Sequence, residues 1–88
     1  MPTTMDLLEL ALENSTLRAL ARALGLSEEA LRTARSRGRL SPLLAGSLAK
    51  ELGQDPEKWI VIAVLESERE SASRTSMLRH FRKKWRDA

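Results

Sequence analysis

Apolar residues recur along the N-terminal half of the chain at helical spacing and divide it into short segments. Leu7, Leu8, Ala11 and Leu12 form one apolar stripe and predict a first helix over about Thr4 to Glu13. Thr4 suits its N-cap, with Asp6 in the first turn, where the helix dipole favours a negative charge. Asn14–Ser15–Thr16 breaks the stripe and offers caps for a second helix, about Leu17 to Leu24. That helix buries Leu17, Leu20, Ala21 and Leu24 and leaves Arg18 and Arg22 outside as an i, i+4 pair. Gly25 is placed to take the left-handed conformation that ends a helix, and Leu26 is free to turn into the core. Ser27 caps a third helix, about Glu28 to Arg37, with Glu28 and Glu29 at its dipole-favoured start. Ala30, Leu31 and Ala34 face inward, whereas Glu28, Glu29, Arg32, Thr33, Arg35 and Ser36 remain outside.

Gly38 ends the third helix, and Ser41–Pro42 opens a fourth, about Pro42 to Leu52, because proline is tolerated in a first helical turn. Leu43, Leu44, Ser47, Leu48 and Leu52 mark its buried side, and the small Ala45, Gly46 and Ala49 allow a close helix approach. Gly53 closes it, and Asp55–Pro56–Glu57 starts a fifth helix reaching about Glu70. Its first part, Trp59 to Leu65, is apolar on every side, so one face packs on the domain and the other needs a second partner. That partner is either the tail or a second subunit. Ser71–Ala72–Ser73 marks a break, and Thr75 to Arg86 forms a last helix with Leu78, Phe81 and Trp85 as an incomplete stripe. The expected organisation is a domain over residues 1–70 followed by a basic amphipathic tail over 71–88.

Composition narrows the class. An 88-residue chain holds one small core, and with only Trp59, Phe81 and Trp85 as aromatics that core is built from Leu, Ala, Ile and Val, a mixture that favours helix. No cysteine means no disulfide and no thiolate ligand or nucleophile, which fits a reducing cytoplasm. The first ten residues lack the basic start and long apolar run of a signal peptide. The run Trp59–Leu65 falls far short of the roughly 20 residues that span a bilayer, so a soluble protein is expected, with no membrane partner.

The net charge of +3 conceals blocks of opposite sign. Residues 1–14 carry Asp6, Glu9 and Glu13 and no cation, whereas residues 15–40 carry six arginines against Glu28 and Glu29. Acids outnumber bases six to three over residues 41–70, and residues 71–88 then carry six cations against Asp87. Two basic blocks separated by acidic helices suggest two anion-facing surfaces. Two short helices joined by a three-residue turn, the second edged with cations, is the sequence form of a helix-turn-helix.

Leu20–Ala21, Leu24–Gly25–Leu26–Ser27 and Leu31, with the later Leu48–Ala49 and Leu52–Gly53, resemble the lambda-repressor/Cro (XRE-type) helix-turn-helix family over roughly residues 4–66. The long fifth helix and the charged tail ending in Trp are similar to short phage- or prophage-encoded members. The chain departs from the family pattern at Leu17, where many members carry Gln, at Ala34–Arg35 in place of a Trp–Glu pair, and at Gly38, one residue late. Glu28 and Glu29 also stand where the recognition helix enters the groove.

The resemblance implies an all-α, five-helix DNA-binding domain with a basic C-terminal helical tail, acting as a transcriptional regulator of repressor type on double-stranded DNA. On that reading the third helix enters the major groove, with Glu29, Arg32, Thr33 and Ser36 at base edges. Arg18, Arg35, Arg37 and Arg39 serve as phosphate clamps. A domain this small calls for two half-sites, so a homodimer is expected, with Trp59, Ile62, Leu65, Phe81 and Trp85 at its interface. The competing assignment is that the apolar residues of the fifth helix only complete a monomer core. A rival function is a protein-interaction module, an antirepressor or antitoxin gripping a second protein through the fifth helix and the tail. Catalysis, a metal site and a cofactor are not expected: His80 is the only histidine, lies in a basic run and has no carboxylate triad around it.

Overall fold

The computed structural model describes residues 1–86, and Asp87, the one acid expected in the tail, lies outside the described residues. Among the described residues six helices follow one another in the order α1 (Thr4–Leu12), α2 (Leu17–Leu24), α3 (Glu28–Arg37), α4 (Pro42–Glu51), α5 (Pro56–Ser67) and α6 (Ala72–Lys84). No strand occurs among the described residues, so the architecture is all-α.

Local chemistry sets most boundaries. The N-cap of α1 is Thr3, not Thr4: the Asp6 N–H donates to the Thr3 hydroxyl at 3.2 Å and the Thr3 N–H donates to the Asp6 carboxylate at 2.8 Å. Thr16, Ser27, Ser41 and Ser71 accept in the same way from Ala19, Ala30, Leu44 and Arg74. Gly25 has φ +68°, and the Leu26 N–H donates to the Ala21 carbonyl at 2.8 Å, which closes α2 as a left-handed cap and aims the chain at Ser27.

The core gathers Leu7, Leu8, Leu31, Leu40, Leu48 and Ile62, all nearly inaccessible to solvent. Burying each such side chain contributes about 1.5–3 kcal/mol. Helices α4 and α5 form the most extensive contact, with α3 lying on α2 as the second. Gly46 makes the α4–α5 approach possible: a Cβ there would sit 2.7 Å from Ile60 Cγ1.

Several expectations about this core are corrected. Leu43 is 80% exposed, because the inner face of α4 is made by Ala45, Gly46, Leu48 and Ala49. Ala30 and Leu26 are also exposed. Leu40, in the α3–α4 loop, fills core space that the helical stripes gave no reason to assign. Helix α5 stops at Ser67 rather than Glu70. The Ser67 hydroxyl donates to the Val64 carbonyl at 2.8 Å, and Arg74 Nε donates to the Leu65 carbonyl at 2.8 Å, so carbonyls at the helix end are satisfied from outside. Ser71 caps α6, which therefore starts at Ala72 rather than Thr75.

Thr4 is wholly buried. Its hydroxyl donates to Glu66 Oε1 at 2.6 Å and accepts from the Leu40 N–H at 3.0 Å, and its N–H donates to Glu66 Oε2 at 2.7 Å. The start of α1, the end of α5 and the α3–α4 loop thus meet at one side chain. Thr4→Val keeps the shape and removes the hydroxyl, leaving the Leu40 N–H and one carboxylate oxygen without that partner, a loss of about 1–3 kcal/mol. Urea denaturation should show that loss, with Thr4→Ser far closer to the unsubstituted protein. A Thr4→Val variant of unchanged stability would show that the three elements hold together without the hydroxyl.

Candidate functional site

Helix α3 rests on the core through Leu31 and Ala34. At about 100° per residue, the direction opposite those two side chains is taken by Glu29, Arg32, Thr33 and Ser36, and all four are exposed. The residues expected at base edges are therefore brought onto one face. Arg37 joins them along an open groove on the outer side of the helix.

The arginines expected as clamps separate to the two flanks. Arg37 and Arg39 line a second groove with Thr33 and Ser41, between α3 and the first turn of α4. Arg35 and Glu28 lie towards the α2 side, where Arg18 Nε stands 3.8 Å from Glu28 Oε2. All four arginines are exposed, so their guanidinium groups flank the outward face of α3 on both sides.

Glu28 and Glu29 are not isolated anions at the helix entry. Arg32 Nη1 donates to Glu29 Oε2 at 3.0 Å, and Arg32 Nη2 donates to Glu28 Oε1 at 3.1 Å. One guanidinium is shared between two carboxylates, both in the first turn, where the helix dipole also favours them. The side chains remain open, 55% exposed for Arg32 and 74% for Glu29. The engagement of Glu28 was missed in the sequence, although its i, i+4 spacing to Arg32 was the available signal.

The expected dimer residues have another role. Trp59, Ile62 and Leu65 are buried inside the single chain, because α5 turns them towards the core. The apolar residues it leaves partly in solvent are Val64 and, one turn earlier, Ile60, whose side chain also lies against Gly46. Phe81 and Trp85 stack on each other with ring centroids 4.9 Å apart and share a cleft with Met1, Pro2 and Lys58, so both are half-buried by their own chain. His80 meets the edge of Phe81 at 4.8 Å. The cations of α6 lie mostly in solvent, and no helix among the described residues is long and apolar enough to cross a membrane.

Comparison with protein-family models, with curated proteins and with solved structures finds no match to this chain.

The Arg32 pairs are exposed, and such pairs contribute only about 0–1 kcal/mol. Arg32→Ala should therefore lower the thermal midpoint by no more than about 4–8 °C, the equivalent of ~1 kcal/mol in a domain of this size. Melting followed by circular dichroism checks this, and a larger drop would make Arg32 part of the scaffold rather than of a working surface.

Proposed function

We propose that this chain is a DNA-binding regulator of the lambda-repressor type, in which α3 lies in the major groove of duplex DNA. The observation that carries the reading is the composition of the outward face of α3. Four side chains able to donate or accept hydrogen bonds form its centre, and arginines from α2, α3 and the α3–α4 loop flank it. A groove-reading helix needs that division, since base edges are read by directional hydrogen bonds and phosphates are held by cations at the sides. The short α2–turn–α3 unit, closed by Gly25 and reopened by Ser27, supports the same assignment.

On this reading Thr33 and Ser36 reach bases together with Arg32 and Glu29, and Arg35, Arg37 and Arg39 contact the backbone on either side. Arg18 serves as a fourth clamp once it leaves Glu28. Two copies read two half-sites. Trp59, Ile62 and Leu65 are occupied in the core, so the second copy packs on the surface that contains Ile60 and Val64. The rival reading, a module that grips another protein through α5 and the tail, has less to work with, because Phe81 and Trp85 are half-buried and stacked on each other.

Duplex binding should weaken steeply with salt. Each of Arg35→Ala, Arg37→Ala and Arg39→Ala should lower affinity for all sequences alike and flatten the dependence of log K on log salt by about 0.9. Fluorescence anisotropy on duplexes from upstream of the protein's own gene, titrated from low to high salt, measures both quantities. Absence of binding at low salt would sink the proposal. Sedimentation over a range of concentrations tests the second copy: Val64→Glu should shift the protein towards monomer with its helicity intact. A protein that stays monomeric on DNA removes the dimer from the reading.

A further inference from the structure

Arg32 and Glu29 form a row of donors beside an acceptor, and we propose that this pair reads a single G·C base pair as one unit. The inference rests on the groove placement of α3 proposed above and names what that helix recognises. In the major groove a G·C pair presents, in order across its edge, two acceptors on guanine, N7 and O6, and one donor, the cytosine amino group. Arg32 carries five N–H donors, of which two are engaged with Glu29 and Glu28. Three are left for guanine. Glu29 engages Arg32 through Oε2, and its other oxygen, Oε1, is available to accept from the cytosine amino group. The guanidinium and the carboxylate touch at 3.0 Å, so the free donors and the free acceptor belong to adjoining groups, the combination a G·C edge calls for.

Other base pairs match this row less well. A·T in either direction presents only one acceptor on the purine and places its donor there, so Arg32 loses a partner and the adenine amino group meets the guanidinium. A phosphate is also a poor ligand. The set Glu28, Glu29 and Arg32 carries two negative charges against one positive, so an incoming phosphate approaching the free donors of Arg32 meets the charge of both carboxylates. A base-pair edge carries no net charge and meets no such repulsion. The arrangement therefore disfavours contact with arbitrary backbone while allowing contact with one kind of base pair. Glu28 acts as a positioning residue: it holds Nη2 of Arg32 at 3.1 Å, and its other oxygen faces Arg18.

The test is selection of bound duplexes from a randomised pool, followed by affinity measurements on the selected site with each base pair changed in turn. One position should require G·C. Arg32→Ala and Glu29→Ala should each abolish the preference at that same position and weaken binding to the selected site by about 5- to 150-fold, the span that ~1–3 kcal/mol represents. The double variant should lose little more than either single variant, because the two side chains act on one base pair. Glu28→Gln should raise affinity for unrelated duplexes and keep the preference. Melting curves confirm that each variant is folded. If Glu29→Ala leaves the preference in place, or if the two alanine variants alter different positions, the base-pair assignment is wrong while DNA binding stands. A protein that selects duplexes with no preferred base pair overturns the assignment in the same way. One that binds no duplex at all overturns the groove placement and this inference together.

Discussion

The hydroxyl of Thr4 is the constraint on which the arrangement of the helices depends. It is the one wholly buried polar side chain among the described residues, and it joins segments 36 and 62 residues away. A buried hydroxyl without partners would cost more than it contributes, so the placement of each segment favours that of the other two. Glu66 answers two groups at once, the Thr4 hydroxyl and the Thr4 N–H, which is an orphan donor in the first turn of α1. Leu40 is bound through its backbone while its side chain enters the core. The loop carrying Arg39 is thereby pinned at the residue next to that arginine. The outward cations beside α3 inherit their positions from this inward bond.

The same economy of space governs the α4–α5 contact. Gly46 lets Ile60 lie against the backbone of α4, and the shared interior of Ala45, Leu48, Ala49, Ile62 and Ala63 is closed by that approach. Helix α3 then sits on α2 and the core through two buried side chains, Leu31 and Ala34. A helix held on one narrow stripe exposes most of its circumference, and that is why so many polar side chains of α3 share an accessible face. Ala30 and Thr33 keep the side towards α4 low, so Arg37 and Arg39 border an open groove rather than a filled one.

What could be read in the sequence follows from how local each feature is. The caps at Thr16, Ser27 and Ser41 and the left-handed glycines act within a few residues, and their chemistry is visible as spacing. The outward face of α3 was legible for the same reason, since one period of a helix fixes it once Leu31 and Ala34 are known to be inside. Leu40, Thr4 and Glu66 were not legible, because no spacing links residues so distant in the chain. Helix α5 was ambiguous in principle. An all-round apolar segment has no preferred face until a neighbour selects one: Trp59 and Ile62 are buried, Ile60 lies against Gly46 while still partly exposed, and Val64 stays in solvent. The end of α5 was misjudged because Arg74, nine residues on, supplies the donor for the Leu65 carbonyl.

The two cationic blocks differ in how they are held, and on the proposed reading this difference separates specificity from affinity. The arginines around α3 stand on a helix whose inner residues are part of the core and whose exit loop is fixed by the Thr4 hydroxyl. The cations of α6 stand on a helix with no fully buried residue, attached through the Arg74–Leu65 bond and the half-buried Phe81–Trp85 stack. Directional hydrogen bonding to a base edge requires a donor fixed to within a fraction of an ångström, whereas attraction to a phosphate tolerates movement. An element with few buried contacts opens at lower free energy than the core. On the proposed reading the tail can therefore add to affinity for an anionic partner, while discrimination among sequences rests on α3, where Glu28 and Glu29 both engage the Arg32 guanidinium.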